Sequence, residues 1–126
     1  MSTIKVDNIR IASESVSRPV TGVAAAWINF NGDDDGATDP ASMIGVRASL
    51  NISSLLDGGS GQYRTDFTNL FDNTNYSVVG SAENDGSFGH AGQWHVDYWM
   101  MANRNNTTND LEDEQYICIV AHGDLA

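Results

Sequence analysis

The chain has 126 residues, with 17 Asp or Glu against 6 Lys or Arg, for a formal charge of −11. Lys5 is its one lysine, and Arg104 is the last basic side chain other than histidine. A surface this acidic repels phosphate backbones and anionic headgroups, which excludes tight nucleic-acid binding and electrostatic docking to membranes.

Gly, Ser and Asn occur 12 times each and Thr 8 times, about a third of the chain. With few Lys and Leu, this is poor helix composition and good turn composition. Apolar residues at 40%, including three Trp, four Tyr and four Phe, are enough for one core. A chain of this length is expected to form one domain. Cys118 stands alone in the apolar run Tyr116 to Ala121, so no intrachain disulfide forms and a buried thiol is expected. The N-terminus lacks the apolar h-region of a secretion signal, and no stretch reaches the ~20 apolar residues of a membrane helix. The sequons at Asn51, Asn75, Asn105 and Asn106 therefore read as chance matches in an Asn-rich chain.

Residues 1–20 differ from the rest. Ile4, Val6, Ile9 and Ile11 are apolar, but Glu14 to Pro19 is polar and ends in a break. The segment is too short for its own core and reads as an extended arm that adds a strand or docks on a partner. Strand signals then follow in order over residues 21–126. Val23 to Phe30 is apolar and ends in the turn signal Asn31-Gly32. Ile44, Val46, Ala48, Leu50 and Ile52 alternate with polar residues and predict one strand with one apolar face. Asp57 to Gly61 is a turn, and Tyr63, Thr65 and Phe67 alternate after it. Tyr76 to Ala82 is a short strand closed by Glu83 to Gly86. From Trp94 to Met101 both faces are largely apolar, as in a strand buried on both sides or placed at a subunit contact. Asn103 to Asn109 is a polar loop, and Tyr116 to His122 the last strand. Six short strands without helical periodicity predict an all-β chain, an antiparallel β-sandwich that is jelly-roll-like, with an extended N-terminal arm.

Three local patterns invite a site. Asn31, Asp33, Asp35 and Asp39 place hard oxygen ligands around Gly36 and resemble a calcium loop, making Ca2+ the one cofactor the sequence suggests. The EF-hand pattern fails at its twelfth position, where Ser42 replaces the bidentate Glu, and the plain alternative is a solvated acidic loop. His90, His95 and His122, with Asp97 and Cys118, supply metal-ligating types without the spacing of a zinc site. Trp94, Tyr98 and Trp99 are of the types that stack on sugar rings, but such residues on a two-faced apolar strand serve equally as core or interface. There is no Gly-x-Ser-x-Gly elbow, P-loop or dinucleotide fingerprint, and a carboxylate pair such as Asp97 with Glu83 carries no weight among 17 acids. A non-enzymatic role is expected.

Several motifs together point to a family. Ser2-Thr-Ile-Lys-Val-Asp-Asn-Ile9 resembles the N-termini of virion structural and fibre proteins of marine tailed bacteriophages, cyanophages among them. Trp27-Ile-Asn-Phe-Asn-Gly32, Val46-Arg-Ala-Ser-Leu-Asn-Ile-Ser-Ser-Leu55 and Gly61-Gln-Tyr63 are similar to a module recurring in those proteins. So are Asp66-Phe-Thr68, Asn75-Tyr-Ser-Val-Val-Gly80 and Cys118-Ile-Val-Ala-His-Gly123. The chain departs from that pattern in the long acidic connection from Asp33 to Met43, where related modules have a short one.

The resemblance implies a subunit of a tail fibre or other tail appendage, made in the host cytoplasm and carried on the virion. It also implies a homo-oligomer, a trimer, tethered to other virion proteins through Ile4, Val6, Ile9 and Ile11 of the arm. Two alternatives stand beside it: a decoration or head-fibre protein of the capsid surface, and a module binding host-surface glycan through Trp94, Tyr98 or Trp99 and the Asp33–Asp39 loop.

Overall fold

A computed structural model of the chain describes residues 8–9, 18–19, 24–34, 45–83, 86–90 and 94–126. Asn8–Ile9 (β1) and Arg18–Pro19 (β2) pair antiparallel, so the arm doubles back on itself there and forms a ladder separate from the other sheets. Eight further strands follow. They are Ala24–Phe30 (β3), Val46–Leu50 (β4), Ile52–Gly59 (β5), Gln62–Phe67 (β6), Ser77–Ala82 (β7), Gly86–His90 (β8), Tyr98–Asn105 (β9) and Ile117–His122 (β10). No helix occurs among the described residues.

The eight strands make two four-stranded antiparallel sheets, ordered β4-β3-β10-β7 and β5-β6-β9-β8, packed as the expected β-sandwich. Inward residues are those the period-two pattern selects. Ala26, Ile28 and Phe30 of β3 and Ile117, Ile119 and Ala121 of β10 face Tyr63 and Phe67 of β6 and Trp99 and Met101 of β9. Phe71 and Tyr76, from the link between β6 and β7, close one end. Phe67 meets Phe71, Tyr76 and Trp99 edge-on, with centroids 4.8, 6.1 and 5.0 Å away. Such edge-to-face contacts add to the area each ring buries.

The single strand expected over Ile44 to Ile52 is two strands in two different sheets. Phe30 pairs with Val46 and Asn29 with Ala48, so Arg47 is an extra residue bulged out of the ladder. The bulge reverses the facing: Val46 packs on the core, whereas Ala48 and Leu50 turn outward. Asn51 then adopts φ +58 and sends the chain into the other sheet, where Ile52 is buried. An Asn suits this left-handed position because its amide can tie down the turn. Its Oδ1 accepts from the Asn69 backbone N at 2.7 Å, and its Nδ2 donates to the Asn69 carbonyl at 3.0 Å.

Two other boundaries move. The strand predicted from Trp94 to Met101 begins at Tyr98 and runs to Asn105, so its second half uses residues assigned to the polar loop. Asn103 is fully buried there because its Nδ2 donates to the Glu112 carbonyl at 2.8 Å, satisfying one end of the amide inside the fold. Residues from Gly86, read as the end of a turn, form β8 along the edge of β9.

Candidate functional site

The two outer faces of the sandwich differ in chemistry. On the β5-β6-β9-β8 sheet the outward residues form a charged network. Arg64 pairs with Asp66 at 2.7 Å, Asp66 accepts from the Ser54 hydroxyl at 2.6 Å, and the Arg64 guanidinium lies 3.9 Å from the Tyr98 ring centroid. His95 stacks on the same ring with centroids 4.0 Å apart and shares a 2.7 Å hydrogen bond with the Tyr98 hydroxyl. These polar groups already serve one another.

The outer face of the β4-β3-β10-β7 sheet carries an apolar row. Strand register places Leu50, Trp27, Val120 and Val79 in one row across all four strands. The next row reads Ala48, Asn29, Cys118 and Ser81. Leu50 is 47% exposed and Val79 63%, far from the core values of their neighbours Ile28 and Ile119. The small side chains of β10 floor an open groove of about 480 Å³, with Trp27 and Asn29 on one wall and Val79 and Ser81 on the other. No outward strand residue on this face is Asp or Glu, in a chain of net charge −11. Exposed apolar surface of this kind recurs at contact sites of other proteins.

One polar atom in the groove is incomplete. Asn29 Nδ2 donates to Cys118 Sγ at 2.7 Å, while Asn29 Oδ1 is buried without a hydrogen-bond partner. An amide oxygen withdrawn from water and left unpaired is costly. At the rim, Arg47 covers the Tyr116 ring at 4.2 Å.

At the end of the sandwich that holds the β5–β6 turn, Asp113 and the Glu114 backbone tie loops together. Asp113 Oδ1 accepts from the Tyr63 hydroxyl and from the Gly61 backbone N, both at 2.6 Å. Gly32 N donates to the Glu114 carbonyl at 2.8 Å, and Asn31 N to the Gly45 carbonyl at 2.8 Å, closing the base of the long acidic connection. Burial first, and then the Asp113 carboxylate, push the Tyr63 phenol well above its ordinary value. Burial and the Asp97 charge push Tyr76 up to about 12. Both tyrosines are neutral when folded, so their contribution is complete below pH 10 and is lost as pH rises through the raised values. The melting temperature should therefore fall steeply from pH 10 to about 12. The Tyr63→Phe variant should fall less steeply over that window, and a profile flat to pH 12 would refute the linkage.

The residues singled out in the sequence are dispersed by the fold. Trp99 is 1% exposed and lies against Phe67, so it offers no ring to a sugar. Tyr98 is engaged by Arg64 and His95, and Trp94 packs edge-on against Tyr76 at 5.0 Å. The three aromatics therefore do not assemble a stacking platform. Of the calcium loop, Asn31 and Asp33 are joined by an Asx turn, Asp33 N donating to Asn31 Oδ1 at 3.3 Å. Asp35 and Asp39 lie outside the described residues, as do Ile4, Val6 and Ile11 and the side chains of Ile9 and His90. Among the described residues no group of three His, Cys, Asp or Glu is placed to hold a metal. Cys118, expected to be buried, faces outward and is exposed, because the inward positions of β10 belong to Ile117, Ile119 and Ala121.

The outer row itself escaped the sequence reading, although a signal exists. In Ala24 to Phe30 the period-two pattern that buries Ile28 and Phe30 forces Trp27 outward, and of the adjacent Val78 and Val79 one must face solvent. Comparison with known proteins finds no matching family model, no matching curated protein and no matching solved structure.

Proposed function

We propose that the chain is a non-enzymatic structural subunit of a phage virion, part of a tail fibre or other tail appendage. In this reading it self-associates and is tethered to other virion proteins by its N-terminal arm. The observation that carries the assembly role is the outer face of the β4-β3-β10-β7 sheet, with Leu50, Trp27, Val120 and Val79 aligned and no carboxylate among them. In a chain of charge −11, a carboxylate-free apolar row is the surface best suited to be covered by another protein. The particle assignment draws on the resemblance of the opening residues and strand motifs to virion proteins of marine tailed phages. A decoration protein on the capsid surface would have the same build and differs only in location.

The arm supplies the test. Deleting residues 2–18 should leave a folded sandwich, because the strands that make its core begin at Ala24. The truncated chain, expressed in host cells during infection by a phage lacking the intact gene, should be absent from purified particles. Unchanged incorporation would sink the tether. Loss of the folded sandwich, read by circular dichroism, would show that the arm is part of the domain instead.

A further inference from the structure

The geometry points to a second copy of this chain as the occupant of the apolar face, packed sheet to sheet about a two-fold axis running parallel to β10 above Cys118 and Val120. The inference rests on reading the chain as a self-associating subunit, and commits to pairs of copies where the family resemblance implies three.

Three observations select this occupant. The first is charge. Elsewhere the chain carries its carboxylates on loops, at Asp33, Asp34, Asp110, Glu112 and Asp113, and on the opposite sheet at Asp66, so most self-contacts set like charges together. Contact through the Trp27 face brings two carboxylate-free surfaces together.

The second observation is shape. β10 floors a trough between walls on β3 and β7, one strand spacing away on either side, about 4.8 Å. A two-fold axis along the trough exchanges the walls. It sets the bulky Trp27 of each copy opposite Val79 of the other, and each Val120 opposite its own equivalent. The face is thus complementary to itself, as an isologous interface requires.

The third is the orphaned amide. The same operation sets Asn29 of one copy opposite Ser81 of the other, because the two residues flank Cys118 symmetrically in one row. Ser81 is exposed, and rotating the Asn29 amide toward the groove would bring its unpaired Oδ1, buried in the single chain, to that hydroxyl. The bond forms twice, once on each side of the axis.

Cys118 makes the contact measurable, being the chain's one thiol, exposed and central to the face. Analytical ultracentrifugation of the full chain should give twice the 13.6 kDa chain mass at high concentration. Over the same range the maleimide labelling rate of Cys118 should fall about tenfold, following the dimer fraction. Val79→Asp sets a carboxylate against each Trp27 and should return the mass to 13.6 kDa and restore fast labelling. Ser81→Asp should do the same, which covers the case of a poorly folded Val79 variant. Met100→Asp, the same charge change on the other sheet's exposed face, should leave both readouts as in the parent.

Assemblies that persist in both Val79→Asp and Ser81→Asp, or a mass three times that of the chain, would overturn this face while keeping self-association. A monomer at every concentration would remove both. In that case constantly slow labelling would identify the chain's own remaining residues as the cover.

Discussion

Replacing Trp99 by alanine should cost about 3–5 kcal/mol of folding stability, enough to bring a domain of ordinary stability close to unfolding. The indole is 1% exposed, and it meets Phe67 edge-on at 5.0 Å in the ring cluster that includes Phe71 and Tyr76. Its removal leaves a cavity that a rigid sheet sandwich cannot collapse to fill. The polar part of the ring has the opposite sign. Trp99 Nε1 and the hydroxyl of its cross-strand neighbour Thr65 are both buried without hydrogen-bond partners. Trp99→Phe should accordingly cost far less than alanine, and Thr65→Val should be neutral or stabilising, since neither loses a bond and each removes an unsatisfied group. Urea unfolding of the three variants checks this ordering. A Trp99→Ala protein as stable as the parent would mean that the core is not where the structure places it.

The second large effect is expected at Gly61. Its φ of +64 is left-handed, and a Cβ there would lie 2.5 Å from the Asn103 carbonyl oxygen and 2.6 Å from the Glu112 backbone N. These are backbone atoms that no rotamer change can move. Gly61 N also donates to Asp113, and its carbonyl accepts from Asn103 N at 2.7 Å, so the β5–β6 turn is pinned to the loop after β9 on one side and to β9 itself on the other. Gly61→Ala should destabilise by about 2–4 kcal/mol through forced movement of that loop. Gly59→Ala is the matched control. Gly59 has φ +107 with open space around its Cβ, so that variant should lose only about 1–2 kcal/mol of conformational strain. Thermal unfolding should separate the two, and equal losses would contradict the clash.

The fold class was legible because the strongest signal, alternation, depends only on which side chains must leave water. Tyr63, Thr65 and Phe67 alternate in the sequence and are all buried in β6. Alternation failed where the backbone breaks its own period. The bulge at Arg47 and the left-handed Asn51 each reverse the facing, so Ala48 and Leu50 point outward and one apparent strand crosses between sheets. Neither event alters composition, and both are fixed by pairing with distant residues such as Asn29 and Asn69. Asn103 shows the same limit, since a polar residue reads as loop until its partner Glu112 is known.

The candidate site was less legible than the fold. Aromatic residues drew attention by type, and Trp99 and Tyr98 proved to be committed within the domain. The face that remains available is assembled from four strands distant in sequence. Leu50, Trp27, Val120 and Val79 become neighbours only through register, and no short window contains more than one of them. The charge of −11 becomes informative in this light, because no carboxylate stands at an outward strand position of that face.

The most direct test of the central claim is to look for the chain in the particle. Under the proposed virion role, gradient-purified particles from infected host cells, examined by quantitative mass spectrometry and by immunogold labelling, should contain the chain in fixed ratio to the major virion proteins. The gold should cluster on the tail appendages. A chain found only in the particle-free lysate would contradict the account.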